Sequence, residues 1–369
     1  MTDDTRLTRL AATLTSTVPF VGPEAIERAS GTLFDARLGA NESSFGPSPL
    51  AIKAMQDMAP NVWMYADSES HNLRAALADH HGINPANIMI GEGIDALLGL
   101  LVRLLITHGD HAVTSAGAYP TFNYHVGGFG GKLHTVPYMG NHEDPFRLIT
   151  KAKETCAKLI YIANPDNPMG TYHKAPKIER MIEAVPNGCL LILDEAYIEL
   201  APKDATPAIS PDDPRVIRMR TFSKGYGMAG ARVGYAVGDP YLINSFNKVR
   251  NHFGMNRISQ AGALAALADE TYLGDVIAHV QKSRDQIATI ALDNGLTPIP
   301  SATNFVTINC GLDGGFAKRV VTELGKLGVF VRMPFVSPQN HCIRVSCGPR
   351  SALNHFAKAL PKALNAAHE

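Results

Sequence analysis

Between about residues 48 and 250 the chain alternates short, continuously apolar runs with stretches of helical periodicity. The clearest runs are KLIYIA (158–163), CLLILD (189–194), VIRMRTF (216–222) and ARVGYAV (231–237), and 87–90 and 111–115 read the same way. A strand with one wet face alternates apolar and polar residues. These runs are apolar at nearly every position, so both faces must be covered. Their alternation with helices predicts an α/β fold built on a mostly parallel sheet. Ser48-Pro49 caps and opens a helix through about Met58, 69–80 forms another that stops at Gly82, and 94–107 a third. Ligands in such sheets sit beyond the carboxyl ends of the strands. Asn164, Asp194 and Ser223-Lys224 each follow directly on an apolar run. After about residue 250 a helix-rich stretch (258–293) gives way to turns and shorter strands at 304–309 and 342–347, which predicts a smaller α+β domain. The expected division is an N-terminal arm over 1–45, a large domain over 46–250 and a small domain over 251–369.

Composition narrows the function classes. At roughly 100–200 residues per domain, 369 residues suggest two or three domains, and 45% hydrophobic residues supply a core. Lysine plus arginine and aspartate plus glutamate number 34 each, so no basic footprint for nucleic acid or an anionic membrane is expected. The most apolar stretch, Leu97 to Ile106, contains Arg103 and is too short to span a bilayer, which takes about 20 apolar residues. The first sixteen residues carry two acids and no long apolar core, so no secretion signal is expected. The five cysteines are scattered, without a Cys-x-x-Cys, which points away from disulfides or zinc and toward a reducing cytoplasm.

Several motifs are weaker than they look. Gly225, Gly227 and Gly230 match the dinucleotide pattern G-x-G-x-x-G, but a strand rather than a helix is expected next, and no acid sits near residue 250. The run 127–132 lacks phosphate-loop spacing and reads as a turn. His80-His81 and the pair His108 and His111 lack partners at metal-ligand spacing, and no metal site is expected. Asn41-Glu42-Ser43 is a glycosylation sequon by letter only. A stronger constellation is Asp194, Lys224 and Arg232. A carboxylate at the end of an apolar strand is costly unless something cationic meets it. A buried Asp–Lys ion pair with Arg232 on the surface accounts for these residues alone, but not for the Asn164–Gly170 loop and Tyr119-Pro120 falling at the same strand ends.

At these positions the chain resembles a known family. NPDNPMGT (164–171), DEAYIE (194–199), RTFSKGYGMAGARVGYA (220–236) and IRVSCG (343–348) look like the fold-type I pyridoxal-phosphate aminotransferases. The nearest subgroup is histidinol-phosphate aminotransferase-like, which LGANESSFGPSP (38–49) and GEGIDALL (91–98) also fit. The resemblance covers nearly the whole chain. It implies a seven-stranded, mostly parallel sheet sandwiched by helices and a pyridoxal 5'-phosphate cofactor.

Residue by residue, the resemblance implies that Lys224 joins the cofactor's aldehyde and, once freed, shuttles the substrate's proton. Asp194 would keep the pyridine nitrogen protonated. Tyr197 and Asn167 would hydrogen-bond the phenolic oxygen, and Tyr119 would stack on the ring; without the family, Tyr119 reads equally well as an ordinary packed aromatic before a proline. Gly93, Ile94 and Asp95 would offer helix-start N–H groups to the phosphate, with Ser223 and Arg232 completing the cup. Tyr65 would reach it from a neighbouring subunit, making a homodimer with shared active sites. Arg344 and Arg332 match arginines that bind an anionic substrate, although Arg332 also reads as a solvated strand end. Asn41, Phe20, His252 and Phe253 join the expected substrate-binding set. The chain departs from the family at Phe20, at 251–253, at Met169 and at Ile94.

The implied reaction is transamination with ping-pong kinetics, from glutamate to imidazole-acetol phosphate, in histidine biosynthesis. An aromatic 2-oxo acid is an alternative acceptor if Tyr119, Phe122, Phe20 and Phe253 line the pocket, and a phosphothreonine decarboxylase-like activity uses the same scaffold. A silent binding protein and a nicotinamide dehydrogenase are the readings from other classes; the intact Lys224 and Asp194 argue against the first, and the motif context against the second.

Overall fold

A computed structural model describes residues 6–16 and 21–369. Its centre is a seven-stranded sheet. In spatial order the strands are Ile88–Gly91, Gly234–Val237, Val216–Thr221, Leu190–Asp194, Leu159–Ala163, His111–Ser115 and Lys132–Val136. Four of the six pairings are parallel, and Gly234–Val237 runs against both of its neighbours. The expected mostly parallel sheet is therefore present.

The continuous apolar runs feed two cores at once. Leu159, Tyr161 and Ala163, with Leu190 and Ile192, pack on one face under the helix Ile94–Leu105. Ile160, Ile162, Leu191 and Leu193 pack on the other, under Pro145–Thr155 and Ala175–Glu183. Successive strand residues point to opposite faces, so a run apolar at every position is what a sheet sandwiched by helices requires.

Two expected boundaries move. The helix from Ile94 ends at Leu105, with Ile106 already extended. The run ARVGYAV becomes a strand only at Gly234. Residues Ala229–Ala231 form a single 3-10 turn and Arg232 is left-handed, with φ 55. A non-glycine residue there costs about 1–3 kcal/mol and persists where its surroundings over-determine it. Here the turn swings the Arg232 side chain back over Ser223.

The last third of the chain builds a second core. Phe305–Asn309 pairs antiparallel with Cys342–Ser346 and Thr297–Pro298. The helices Glu270–Asp293, Gly314–Lys326 and Arg350–His368 cover this small sheet. The N-terminal segment joins the same core: Ala36–Arg37 pairs parallel with Val329–Phe330, and Leu38 is buried beside them. A second tie runs from this segment to the lysine loop. Gly227 has φ +69, and a Cβ there would lie 2.2 Å from the Gly46 carbonyl oxygen. Only glycine permits that approach.

Candidate active site

The carboxyl ends of the central strands open into a cleft of about 680 Å³. Asp194 ends its strand at the floor and is buried. Strand parity puts it on the same face as Tyr161. The register places Ala163 opposite Asp194 and Tyr161 opposite Ile192, so Tyr161 is its diagonal neighbour. The Tyr161 hydroxyl donates to Asp194 Oδ2 at 2.6 Å, and the Ala196 N–H donates to Oδ1 at 2.9 Å. Burial pushes this carboxyl up to about 6, against the pull of those two donors. It has no cationic partner among the described residues, so the simple Asp–Lys ion pair is not what the fold builds. The Lys224 ammonium instead donates to the Asn41 carbonyl at 2.9 Å and lies 5.4 Å above the Tyr197 ring.

Tyr197, Asn167 and Arg344 form one chain of contacts. The Tyr197 hydroxyl accepts from Asn41 Nδ2 at 3.3 Å and from Asn167 Nδ2 at 3.5 Å. Asn167 Oδ1 accepts from Arg344 Nη1 at 2.5 Å. Arg344 also lies 5.2 Å over the Phe305 ring, and its Nε is enclosed without a partner. Burial pulls this guanidinium down to about 10. Arg332 is brought beside it by a backbone bridge, in which the Arg344 N–H donates to the Arg332 carbonyl at 2.6 Å. Arg332 Nη2 donates to the Val21 carbonyl at 2.8 Å, so the N-terminal segment touches the cleft.

The opposite wall is polar. Gly93 caps the twelve-residue helix Ile94–Leu105 with φ +84, and a Cβ on it would strike Arg232 Nη2 at 2.5 Å. The helix start, Ser223 and Arg232 therefore close on one spot. Arg232 Nη1 lies 3.5 Å from Ser223 Oγ, and Arg232 Nη2 lies 3.9 Å from Asp95. The Tyr119 hydroxyl donates to Asp95 at 3.5 Å from the side of the cleft. Helix-start N–H groups beside a guanidinium and a hydroxyl make a site for a phosphate-like anion.

Other expected residues lie elsewhere. Tyr65 is 78% exposed and packs its ring 4.8 Å from Phe253, outside the cleft of the same chain. His252 lines a separate cavity with Arg74 and Arg250. Phe20 lies outside the described residues. Phe122 does not line the cleft: it is fully buried and stacks on Tyr161 at 5.2 Å, because its helix turns it toward the sheet. Tyr124 and Phe335 line the cleft in its place. Met169 is buried with Tyr138, Ile299 and Cys342, and Ile94 is buried too. Asn41, the sequon asparagine, is also buried.

Comparison with known proteins gives a consistent result. The profile of the family described as "Aminotransferase class I and II" matches residues 36–360. A histidinol-phosphate aminotransferase from an Anaeromyxobacter species is 32% identical over 358 residues, covering 96% of this chain and 98% of that protein. The crystal structure of histidinol-phosphate aminotransferase from Sinorhizobium meliloti in complex with pyridoxal-5'-phosphate is 50% identical, with a TM-score of 0.95 over 98% of both chains. The L-threonine-O-3-phosphate decarboxylase from Porphyromonas gingivalis shares the fold at 17% identity, with a TM-score of 0.76 over 89% of this chain and 99% of that one.

Proposed function

The chain belongs to the class I and II aminotransferases, and from that premise we propose that it moves an amino group from glutamate to imidazole-acetol phosphate with pyridoxal 5'-phosphate as cofactor. The products are 2-oxoglutarate and histidinol phosphate, and the step belongs to histidine biosynthesis. One observation carries the proposal. A single cleft joins a buried carboxyl without a cation, a primary amine, a polar cup and a pair of arginines. The 50% identity to a histidinol-phosphate aminotransferase supports the choice of acceptor.

The residues fit the cofactor. Asp194 is a buried acid with two neutral donors and room for a cationic one. The cup of Gly93, Ile94, Asp95, Ser223 and Arg232 suits a phosphate dianion. When bound, pyridoxal phosphate supplies an electron sink for the carbon that loses its proton. Asp194 would hold a proton at the pyridine nitrogen. Lys224 would carry the cofactor through its amine and, once freed, would act as the base that takes the substrate's Cα proton and hands it to the cofactor carbon. Tyr197 and Asn167 would hydrogen-bond the phenolic oxygen, and Tyr119 would cover the ring. Arg344 takes the substrate carboxylate as a planar fork and Arg332 a second anion. Glutamate and the phosphorylated acceptor use the same groups in turn, which is the ping-pong order.

A homodimer is part of this proposal. Val62, Trp63, Tyr65 and Phe253 are exposed on one chain, an unusual apolar set for a free surface. The reading places Tyr65 at the phosphate of the neighbouring subunit. Tyr65→Phe is then expected to weaken cofactor retention several-fold while leaving the dimer intact, as measured by cofactor titration and sedimentation; unchanged retention contradicts the shared site. The large and small domains divide near residue 250, with 1–45 as the arm. No helix of the described residues is long and apolar enough to cross a membrane, and a cytoplasmic location completes the proposal.

A panel on the purified holoenzyme tests the substrate. Glutamate with imidazole-acetol phosphate is expected to turn over fastest. Tyr119, Tyr124 and Phe335 line the cleft, so an aromatic 2-oxo acid is the competing acceptor to include. Preferred turnover of that acid, or carbon dioxide release from phosphothreonine without transamination, overturns the assignment.

A further inference from the structure

Beneath the loop that carries Asn167 lies a polar cluster that the chemistry above does not use. Glu143 and Asp166 are 1% and 2% exposed. Asp166 is well supplied with donors: the Tyr138 hydroxyl at 2.8 Å on Oδ1 and the Met169 N–H at 3.0 Å on Oδ2. Glu143 is not. The Ala163 N–H donates to its Oε1 at 2.9 Å, while its Oε2 is enclosed and no donor reaches it. The Glu143 and Asp166 carboxyls sit close enough that each shifts the other's proton affinity, and no lysine, arginine or histidine side chain forms an ion pair with either acid among the described residues.

Two enclosed carboxylates without a cation cannot both stay ionised. The groups facing the pair come from several elements. Arg344 favours the charge on Asp166, Asp194 opposes one on Glu143, and the Tyr161 phenol lies near Glu143. Ser115 lies beside Glu143, and His173 Nε2 donates to the Glu143 backbone carbonyl at 2.8 Å. The Ser115 hydroxyl pulls the Glu143 proton affinity down against burial, but only Asp166 has a donor on each oxygen, while Glu143 Oε2 has none in hydrogen-bonding geometry.

We propose that Glu143 is protonated at neutral pH and donates to Asp166, and that this acid pair is a positioning device that holds the 164–170 loop with Asn167 facing Arg344. Burial pushes Glu143 well above the usual carboxyl range, with the Asp166 charge adding to it. Asp166 rises less, to about 7, because burial is opposed by Met169, Tyr138, Arg344 and Glu143 itself. The loop is tied to Asp166 on both sides. Its N–H donates to the Thr171 carbonyl at 2.8 Å and its carbonyl accepts from the Gly170 N–H at 3.1 Å. A loss of the shared proton sets two charges against each other directly behind Asn167, whose side chain hydrogen-bonds both Tyr197 and Arg344. The pair thus ties the pH of the solution to the arginine that meets the substrate anion.

The kinetic part of the test rests on the transamination reading, and the spectroscopic part does not. Infrared spectra of the holoenzyme in H2O and D2O should show a protonated-carboxyl stretch at neutral pH that persists above the range to which burial raises the Asp194 and Glu199 carboxyls in the cofactor-free chain, about 6 and about 7. Glu143→Gln should remove that band. Its amide can still donate to Asp166 and accept from Ala163, so it imitates the protonated acid. Its KM for the anionic acceptor should stay within about twofold of the unmodified enzyme at neutral pH. The KM of the unmodified enzyme should climb several-fold at alkaline pH while that of Glu143→Gln stays flat, with kcat changing equally in both. Asp166→Asn should raise KM several-fold with cofactor absorbance unchanged. No surviving carboxyl band, or a Glu143→Gln enzyme whose KM follows the same alkaline rise, overturns the proposal; the first result does so whether or not any variant folds.

Discussion

Lys224→Ala is expected to abolish transamination while leaving the fold intact. The Lys224 side chain makes one hydrogen bond, to the Asn41 carbonyl, and sits half-buried at the edge of the cleft. Its removal leaves no buried partner unpaired except an oxygen that Asn304 Nδ2 also serves at 3.0 Å. Melting temperature should therefore change little. Turnover should fall by about 10⁴-fold or more, because positioned proton transfer alone contributes about 10²–10⁴-fold and the covalent attachment of the cofactor goes with it. The check is steady-state transamination beside a thermal melt. Near-normal turnover in a folded Lys224→Ala protein assigns the proton to another group.

The second large effect is at Asp194. Asp194→Ala removes the carboxylate proposed to hold a proton on the cofactor's ring. Losing one preorganised partner of developing charge costs about 10²–10³ in kcat, and cofactor retention should fall as well. The same substitution reveals a conflict in the cofactor-free protein. There the carboxyl is buried and its proton affinity is raised from 3.8 to about 6. The folded chain then holds a proton that the unfolded chain releases, so stability falls as pH rises between about 4 and about 6. The rise from 3.8 to about 6 corresponds to about 3 kcal/mol. Cofactor-free Asp194→Asn should accordingly lose less stability than the unmodified protein across that window, as measured by denaturant titration at several pH values. A parallel pH dependence in both proteins contradicts the burial of an ionising acid at this position. The empty site costs stability through this buried carboxyl, and on the proposed reading a cationic ring nitrogen beside it would restore that stability.

The strand ends were legible because continuous apolar runs announce a sheet covered on both faces, and polar residues closing such runs are conspicuous. Asn164, Asp194 and Ser223-Lys224 emerge from that pattern alone; the structure gathers Asp194, Ser223 and Lys224 around one cleft, while Asn164 is buried outside its lining and donates to the His173 and Ala205 carbonyls. Tyr161 was not singled out. Its tie to Asp194 depends on which strands are neighbours and in what register, and neither is written in a single strand. A tyrosine inside an otherwise apolar run, at the same parity as the terminal aspartate, was the available signal. The apolar run 231–237 predicts a strand that includes Arg232, but the strand starts two residues later, at Gly234, because a left-handed arginine has no mark in the sequence. Phe122 is one of four aromatics that the sequence offers for the pocket, yet its helix, Thr121–Gly128, turns the ring onto Tyr161 in the core. The partnership of Glu143 with Asp166 joins residues 23 positions apart through the sheet, and no local motif foretells it.

The central claim is that the amine at position 224 holds the cofactor. Reducing the purified holoenzyme with borohydride fixes any carbon–nitrogen bond between them, and peptide mass mapping locates it. The account predicts one pyridoxyl-phosphate adduct per chain, on the peptide containing Lys224, and none in Lys224→Ala. An unmodified Lys224 in reduced, cofactor-loaded protein, or an adduct on a different lysine, contradicts it.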